Sequence, residues 1–415
     1  MSRASADMRR LAPVLGALAM FGPFSIDTLF PAFPDIGRQF GADKLAMQQT
    51  ISAYLLAYAM MSIVHGPLSD ALGRRGVIIG GLVVFAIASA GCALSTSLPM
   101  LLAFRVLQGL SAGVGLIIGR AVIRDVFHGD DAQRLMSRVS MIFGVAPAVA
   151  PLVGAWLLGW SAWPSIFWFL VLFALAMILM VLWRLPETLP PAQRHPLRMG
   201  AVLRGYLGML RNARLMRLAM AGSLNFAALF LYIASAPALV IDHLRLGQKG
   251  FGWFFIPMIG GMMLGAFASG RMVGRVAGVR QIRLGFACCL LAAIVNIAYH
   301  AGVELPGVLP TVSPIALNAF GIALVFPVLS LALLDMYPGA RGAASSLQAF
   351  CNLVCNSVIA GLVSPWLSHD LLQLSMGAAV LTVLGWLFWR WEHNRRPRAP
   401  GCLEEAVALE PIDKL

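Results

Sequence analysis

Twelve predominantly apolar runs, each about long enough to cross a bilayer as an α-helix, dominate this chain of 415 residues and decide most of what it can fold into. They lie approximately at 11–33, 46–68, 77–95, 99–121, 138–159, 164–184, 215–240, 251–273, 283–303, 311–334, 343–366 and 371–391. A helix spans the hydrocarbon layer because it satisfies every backbone donor and acceptor internally, which no open sheet edge can do there. Hydrophobic residues make up 59% and charged residues 12% of the chain. That charged share is about half of what a soluble domain carries. The expectation is an all-α membrane protein with twelve transmembrane helices.

The net charge of +13 does not point to nucleic acid. The basic residues form no patch beside stacking aromatics; they fill the short gaps between apolar runs. Positive loops remain cytoplasmic. With the N-terminus, the even-to-odd loops and the C-terminus placed inside, only Arg38, Lys44, Arg245 and Lys249 fall outside. Arg105 lies within a run, leaving 26 of the 31 Lys and Arg on the cytoplasmic side. Arg3, Arg9 and Arg10 precede a first run with no small-x-small cleavage pattern, so it reads as a retained helix of a multi-pass inner-membrane protein.

The longest polar break, 186–214, holds Pro186, Pro190, Pro191 and Pro196 with several arginines. It divides the chain into an N-terminal six-helix bundle (1–185), a cytoplasmic linker (186–214), a C-terminal six-helix bundle (215–391) and a cytoplasmic tail (392–415). The bundles show traces of repetition. Asp27 stands four residues before Pro31, and Ile233 four before Pro237. Gly66 and Asp70 after helix 2 correspond to Gly270 and Gly274 after helix 8. Two pseudo-symmetric bundles with the substrate site between them are a known transporter design.

Five of the six cysteines (Cys92, Cys288, Cys289, Cys351, Cys355) fall in apolar runs, and Cys402 is in the tail. Cys351 and Cys355 are one helical turn apart, but no His or second Cys pair stands at metal-ligand spacing. They read as small core residues, and no metal is expected.

Three features carry chemistry. The loop GPLSDALGRR (Gly66, Asp70, Gly73, Arg74, Arg75) has glycines for a tight turn and an anion at the membrane edge. The stretch RVLQG puts Arg105 inside a span, where a charge costs roughly 3 kcal/mol or more and is a functional candidate by default. Asp27 is the only acid deep within an apolar run, and Asp335 is nearer a helix end. A carboxylate held there can take up and release a proton as its surroundings change. A structural pairing of Asp27 with Arg105 is the plainer alternative.

Gly109–Gly113 matches G-x-S-x-G, the serine hydrolase elbow, but that elbow needs a strand-turn-helix and a histidine base. Ser111 falls mid-run, so the glycines read as packing residues. An integral membrane enzyme would need a nucleophile-base set or an acidic pair within the membrane, and none is apparent.

The loop Gly66–Arg75 resembles the signature loop of the major facilitator superfamily. The resemblance implies that Asp70 meets the start of helix 11 near Arg341–Ala344 and gates the cytoplasmic side. RVLQGLSAG resembles the superfamily's helix 4 motif, which links Arg105 to proton transfer. Asp27, Pro31 and Pro34 form the D-x-x-x-P-x-x-P pattern of its drug:proton antiporters. GVAPAVAPLVGA, with Pro147, Pro151 and Gly154, resembles the antiporter motif of helix 5, with Ala150–Pro151 where Gly-Pro is common. RAVIRDVF (120–127), LPETL (185–189), IDTLFPAFP and RGAASSLQ (341–348) are similar to the bicyclomycin and chloramphenicol resistance (Bcr/CflA) subfamily. The chain departs from it at Leu29, often Tyr, and at Ala19, which is acidic in some related members.

The substrate pocket is expected at the midplane, apolar with a few polar anchors. Gln348, Asn352 and Asn356 form one helical stripe. Tyr54, Tyr58, Asn225, Phe226, Tyr232, Trp253, Phe254 and Asn318 are further candidates. No Walker motif is present, so the expected energy source is a proton gradient and no cofactor is implied. The expected partners are a small-molecule substrate and membrane lipids, with the chain acting as a monomer. Export of drug-like compounds by proton antiport is the leading function; carriage of a metabolite such as a nucleoside is the alternative.

Overall fold

A computed structural model describes residues 3–394 except 128, 195–196, 198 and 304. The tail beyond 394, with Cys402, lies outside the described residues, as do the side chains of Arg3, Arg9 and Arg10. Among the described residues there is no strand, and helices follow the order of the apolar runs. They are α1 (Leu11–Phe40), α2 (Lys44–Leu72), α3 (Arg74–Ala93), α4 (Leu98–Val126), α5 (Gly129–Leu158) and α6 (Pro164–Arg184). After the linker come α7 (Ala213–Ala234), α8 (Gln248–Met272), α9 (Gly278–Gly302), α10 (Val308–Leu334), α11 (Arg341–Leu367) and α12 (Leu371–Asn394). Eleven are long and apolar enough throughout to cross a membrane; in α5 the apolar stretch is Gly144–Leu158. The chain is a multi-pass membrane protein.

Several elements differ from the sequence reading, each for a local reason. α1 is not one rod. It passes through a short helix, Phe21–Asp27, and a 3₁₀ turn, Phe30–Ala32, before Phe33–Phe40. Pro31 has no N–H for the carbonyl of Asp27, so the α ladder cannot continue there. Gly41, at φ 62°, ends α1, and the Asp43 side chain caps α2 by accepting from Ala46 N at 2.7 Å. The turn between α2 and α3 does not fall at Gly66, which stays inside α2; it falls at Gly73, at φ 98°. A Cβ on Gly73 would also lie 2.6 Å from Glu187 Oε2. The linker is not wholly irregular, because Met199–Arg211 forms a helix.

α7 and α11 both lose their α-helical ladder at one end. Each passes into a π-helical segment, Ala238–His243 after α7 and Ile359–Val363 within α11. Pro237 and Pro365 stand beside these breaks, and each leaves the carbonyl four residues earlier without its helical donor. Ser235 Oγ and Ser364 Oγ, 2.8 Å apart, tie the two breaks together.

Within the first six helices, α2 packs on α4 and α3 on α4 and α6; within the last six, α9 packs on α10, α8 on α10 and α7 on α12. Between the two sets, α2 runs along α11 and α5 meets α8. Glycines set the closest approaches. A Cβ at Gly109 would sit 2.2 Å from the Tyr54 carbonyl, and one at Gly115 2.2 Å from the Leu18 carbonyl. Ser111 donates to the Gln108 carbonyl at 2.9 Å, inside its own helix. The G-x-S-x-G string is therefore a packing face of α4.

Candidate transport site

Among the described residues, Arg105 is the most completely enclosed charge, at 0% exposure. Its Nε donates to the Thr50 carbonyl at 3.1 Å, on α2. One terminal nitrogen donates to the Ser25 carbonyl at 2.9 Å, to Ser25 Oγ at 3.2 Å and to Gln108 Oε1 at 2.8 Å. Gln108 in turn donates to Ser89 Oγ on α3 at 2.7 Å. The guanidinium carbon lies 4.4 Å from the centre of the Tyr54 ring. One side chain thus links α1, α2, α3 and α4. A planar, five-donor guanidinium can do this; an ammonium cannot. The other terminal nitrogen is buried and has no hydrogen-bond partner among the described residues.

Asp27 is buried two residues beyond Ser25, at the break in α1. It forms no ion pair with Arg105: among the described residues, the bonds of Arg105 go to neutral acceptors. Gly154 of α5 backs this break, because a Cβ there would lie 2.1 Å from the Thr28 carbonyl. Pro147 and Pro151 lie within the same continuous helix, two turns and one turn before it.

The Gly66–Arg75 loop makes a compact network with two other strings. Arg74 pairs with Asp70 and, through Nε, with Asp125 at 3.1 Å. The backbone N–H groups of Arg74 and Arg75 donate to Glu187 at 2.9 and 3.3 Å, and Arg75 donates to the Leu182 carbonyl at 2.7 Å. Asp125 comes from RAVIRDVF and Glu187 from LPETL, so three separate strings build one knot. Asp70 does not reach the start of α11, contrary to the expectation. Its partner is Arg74, one turn away, and Arg341 instead pairs with Asp335 at 3.3 Å. Arg74 stands one helical turn after Asp70, so the nearest cation takes its charge.

The opposite end of the molecule carries the bonds between the two sets of helices. Gln48 donates to the Ala234 carbonyl at 2.7 Å, and Gln49 to the Gly361 carbonyl at 2.8 Å. Ser52 and Ser357 bond each other and each other's carbonyls, at 2.9 to 3.0 Å. Lys44 pairs with Asp242 at 2.7 Å, and Gln248 donates to Asp35 at 3.1 Å. Among the described residues, every hydrogen bond and ion pair between α1–α6 and α7–α12 lies at this Gly41 end. Gly361 is the residue whose carbonyl Pro365 leaves free, and a Cβ on it would come 2.5 Å from Ser52 Oγ.

The substrate candidates separate into three groups. Tyr54, beside Arg105, and Tyr58 are buried on α2, edge to face at 6.4 Å. On α11, Gln348 donates to Ser330 of α10 at 2.8 Å, and Asn356 to Asn352 at 2.9 Å, leaving Asn356 Oδ1 buried and unpartnered. Asn225, Tyr232 and Asn318 lie inside the second set of helices. Asn225 abuts Gly385 of α12, Tyr232 accepts from Asn296 of α9 at 2.7 Å, and the Asn318 carbonyl accepts from Cys289 at 3.5 Å. Trp253 is 60% exposed on the outer face of α8, while its neighbour Phe254 is fully buried. Phe226 stacks obliquely on Phe326 at 6.4 Å.

A profile of the Major Facilitator Superfamily matches residues 15–360. The chain belongs to the major facilitator superfamily. It is a transporter rather than an enzyme. It is 30% identical over 382 residues to an uncharacterised MFS-type transporter, YdgK, of Bacillus subtilis, covering 90% of this chain and 93% of the relative. It is 25% identical to the bicyclomycin resistance protein homolog of Haemophilus influenzae, covering 90% and 94%, and 28% identical to multidrug resistance protein D of Escherichia coli, covering 92% and 97%. Its fold is similar to that of the human organic anion transporter MFSD10, with TM-score 0.70 at 20% identity over 93% of this chain and 99% of that one.

Sequence reasoning found the superfamily member's charged residues but missed their neutral partners. Ser25, Thr50, Gln108 and Ser89 around Arg105, and Gln48, Gln49 and Ser52 at the Gly41 end, are common residue types in unremarkable strings. The prolines offered a signal: Pro365 marks Gly361 as a carbonyl in want of a donor.

Proposed function

We propose that this superfamily member exports small drug-like compounds across the inner membrane in exchange for protons. Its halves, 1–185 and 215–391, would alternate access to a site between them, with both termini and the Gly73 end cytoplasmic. The named multidrug and bicyclomycin resistance relatives support the substrate class. Proton coupling rests chiefly on one observation: a buried carboxylate, Asp27, stands at the proline break of α1 beside the Arg105 hub.

In this reading Asp27 takes a proton when the site faces outward and substrate leaves. It gives the proton up when the site faces inward and substrate binds. The unpartnered nitrogen of Arg105 is the donor available to the Asp27 carboxylate once α1 shifts at its break. Tyr54 and Tyr58 from α2, with Gln348, Asn352 and Asn356 from α11, supply the polar and aromatic wall of the pocket. Asn225, Tyr232 and Asn318 act from behind that wall, and Trp253 faces lipid. In this reading, with the cytoplasm at the Gly73 end, the cross-half bonds at the Gly41 end would close the outer side of the pathway.

The test is Asp27→Asn in proteoliposomes under an imposed pH gradient, with drug flux read in vesicles of known orientation. Uphill transport is expected to disappear while downhill exchange persists. A variant as fast uphill as the native protein would sink the coupling role. Net accumulation toward the Gly73 end would favour metabolite uptake instead.

A further inference from the structure

The linker helix Met199–Arg211 presents an apolar surface that protein only half covers. Tyr206 and Met209 are buried against Leu215 of α7 and Ala344, Leu347 and Cys351 of α11. Burial pushes the Tyr206 hydroxyl above its ordinary range, despite the Ser346 hydroxyl on α11 beside it. Asn212 at the helix end donates to the Tyr337 hydroxyl at 3.0 Å. The adjoining stripe, Leu203, Leu207 and Leu210, is exposed at 57, 45 and 37%.

Helical spacing puts Arg204 and Arg211 two turns apart along one flank of that leucine stripe. Both are exposed. Among the described residues neither pairs with a carboxylate, although Arg204 folds back on the Gly200 carbonyl at 3.2 Å. The next two arginines are already committed: Arg214 and Arg217 share the buried Glu392 at 2.9 and 2.8 Å. Gly205 and Gly208 lie on the remaining face and Gly200 beneath Arg204, with open space around each. Three glycines cost such a helix about 1 kcal/mol each relative to alanine. A helix this short and glycine-rich depends on what it docks against.

We propose that this helix lies in the surface of the bilayer and binds anionic phospholipid, with Leu203, Leu207 and Leu210 in the acyl region and Arg204 and Arg211 on headgroup phosphates. An apolar stripe edged by arginine is the pattern of an interfacial helix. The committed arginines at 214 and 217 make Arg204 and Arg211 the ones free for phosphate. Through Tyr206 and Asn212 the helix grips the start of α11. The other end of α11 holds Gln49 and Ser52, so bound lipid would bias opening at the Gly73 end. The inference does not depend on proton coupling or on the substrate.

The full-length protein is placed in nanodiscs of phosphatidylcholine with and without phosphatidylglycerol. Phosphatidylglycerol is expected to raise Tm, and Arg204→Gln with Arg211→Gln to abolish that rise while leaving Tm in pure phosphatidylcholine unchanged. Each arginine near an anionic surface contributes about fivefold in affinity, so the double variant is expected to bind the lipid roughly 30-fold more weakly in titrations. In a second measurement, the fluorescence of L203W is expected to be quenched by bromine-labelled acyl chains more strongly than that of L45W. Equal Tm in both bilayers, an unchanged rise in the double variant, or no quenching of L203W beyond L45W would each overturn the proposal. Stabilisation by free inorganic phosphate equal to that by the lipid would overturn it as well.

Discussion

The two ends of this transporter are held by different chemistry. At the Gly73 end, charge dominates: Asp70, Arg74, Asp125 and Glu187 bind one another within the first six helices and their exit. At the Gly41 end, neutral amides and hydroxyls bind carbonyls across the two sets of helices. Charged networks are costly to desolvate and to break by halves. A bond from a glutamine to a carbonyl can be exchanged for one to water at about 0.5–1.5 kcal/mol net. The difference suits a charged knot that moves as a unit and a neutral seam that opens and closes.

The largest effect is expected at Arg105, which lies between the ends. Arg105→Leu leaves the Ser25 carbonyl, at the break in α1, without a donor at about 1–3 kcal/mol, and takes from the Thr50 carbonyl the bond it makes beyond its own helix. Loss of uphill transport and a clear fall in Tm are expected, with Arg105→Lys recovering little of either. A leucine variant of native stability would show that the hub does not join the helices as described.

The next effect tests the seam. In Gly361→Val the added carbons meet Ser52 Oγ, at 2.5 Å for the first atom. Distances between spin labels at Ala42 and Arg245 are expected to lengthen toward a single open population. Gln49→Leu combined with Ser52→Ala removes the bonds without a wedge. A shift of about 1–3 kcal/mol, roughly 5- to 150-fold in population, is expected in the same measurement. Unchanged distances in both variants would mean that apolar packing, not these bonds, closes the Gly41 end.

The Gly73 end provides the contrast. Glu187→Gln weakens the hold on the N–H groups of Arg74 and Arg75, and is expected to cost about 1–2 kcal/mol in thermal unfolding. Labels at Ala42 and Arg245 are expected to stay in place, because Glu187 makes no bond across the halves. Movement there would erase the distinction between the ends. The smallest effect belongs to Lys44→Ala. Its pair with Asp242 is largely exposed, and such pairs are worth about 0–1 kcal/mol.

Much of the candidate site was legible because charge inside an apolar run is conspicuous. Asp27 and Arg105 were found that way, and the Gly66–Arg75 loop by the spacing of its glycines, aspartate and arginines. What they touch was not legible. Asp70 carries the same charge as Asp125 and Glu187, and nothing in the string says which of them meet the Arg74 guanidinium and which its backbone N–H. Asn225, Tyr232 and Asn318 read as further pocket candidates, yet their partners lie on α9 and α12. A stripe along a helix fixes which residues share a face, not which neighbour that face meets.

The sequence by itself determined the spans, their order and the superfamily. Apolar length is a local property, and so is a glycine-aspartate-arginine turn. Only the tertiary structure decided that Glu392 holds Arg214 and Arg217, that Gly154 seats the break after Asp27, and that Gln49 reaches the carbonyl Pro365 sets free. Each of these joins residues far apart in the chain, and each depends on how closely two helices approach. That approach is set by the combined shape of both surfaces, which neither string specifies alone.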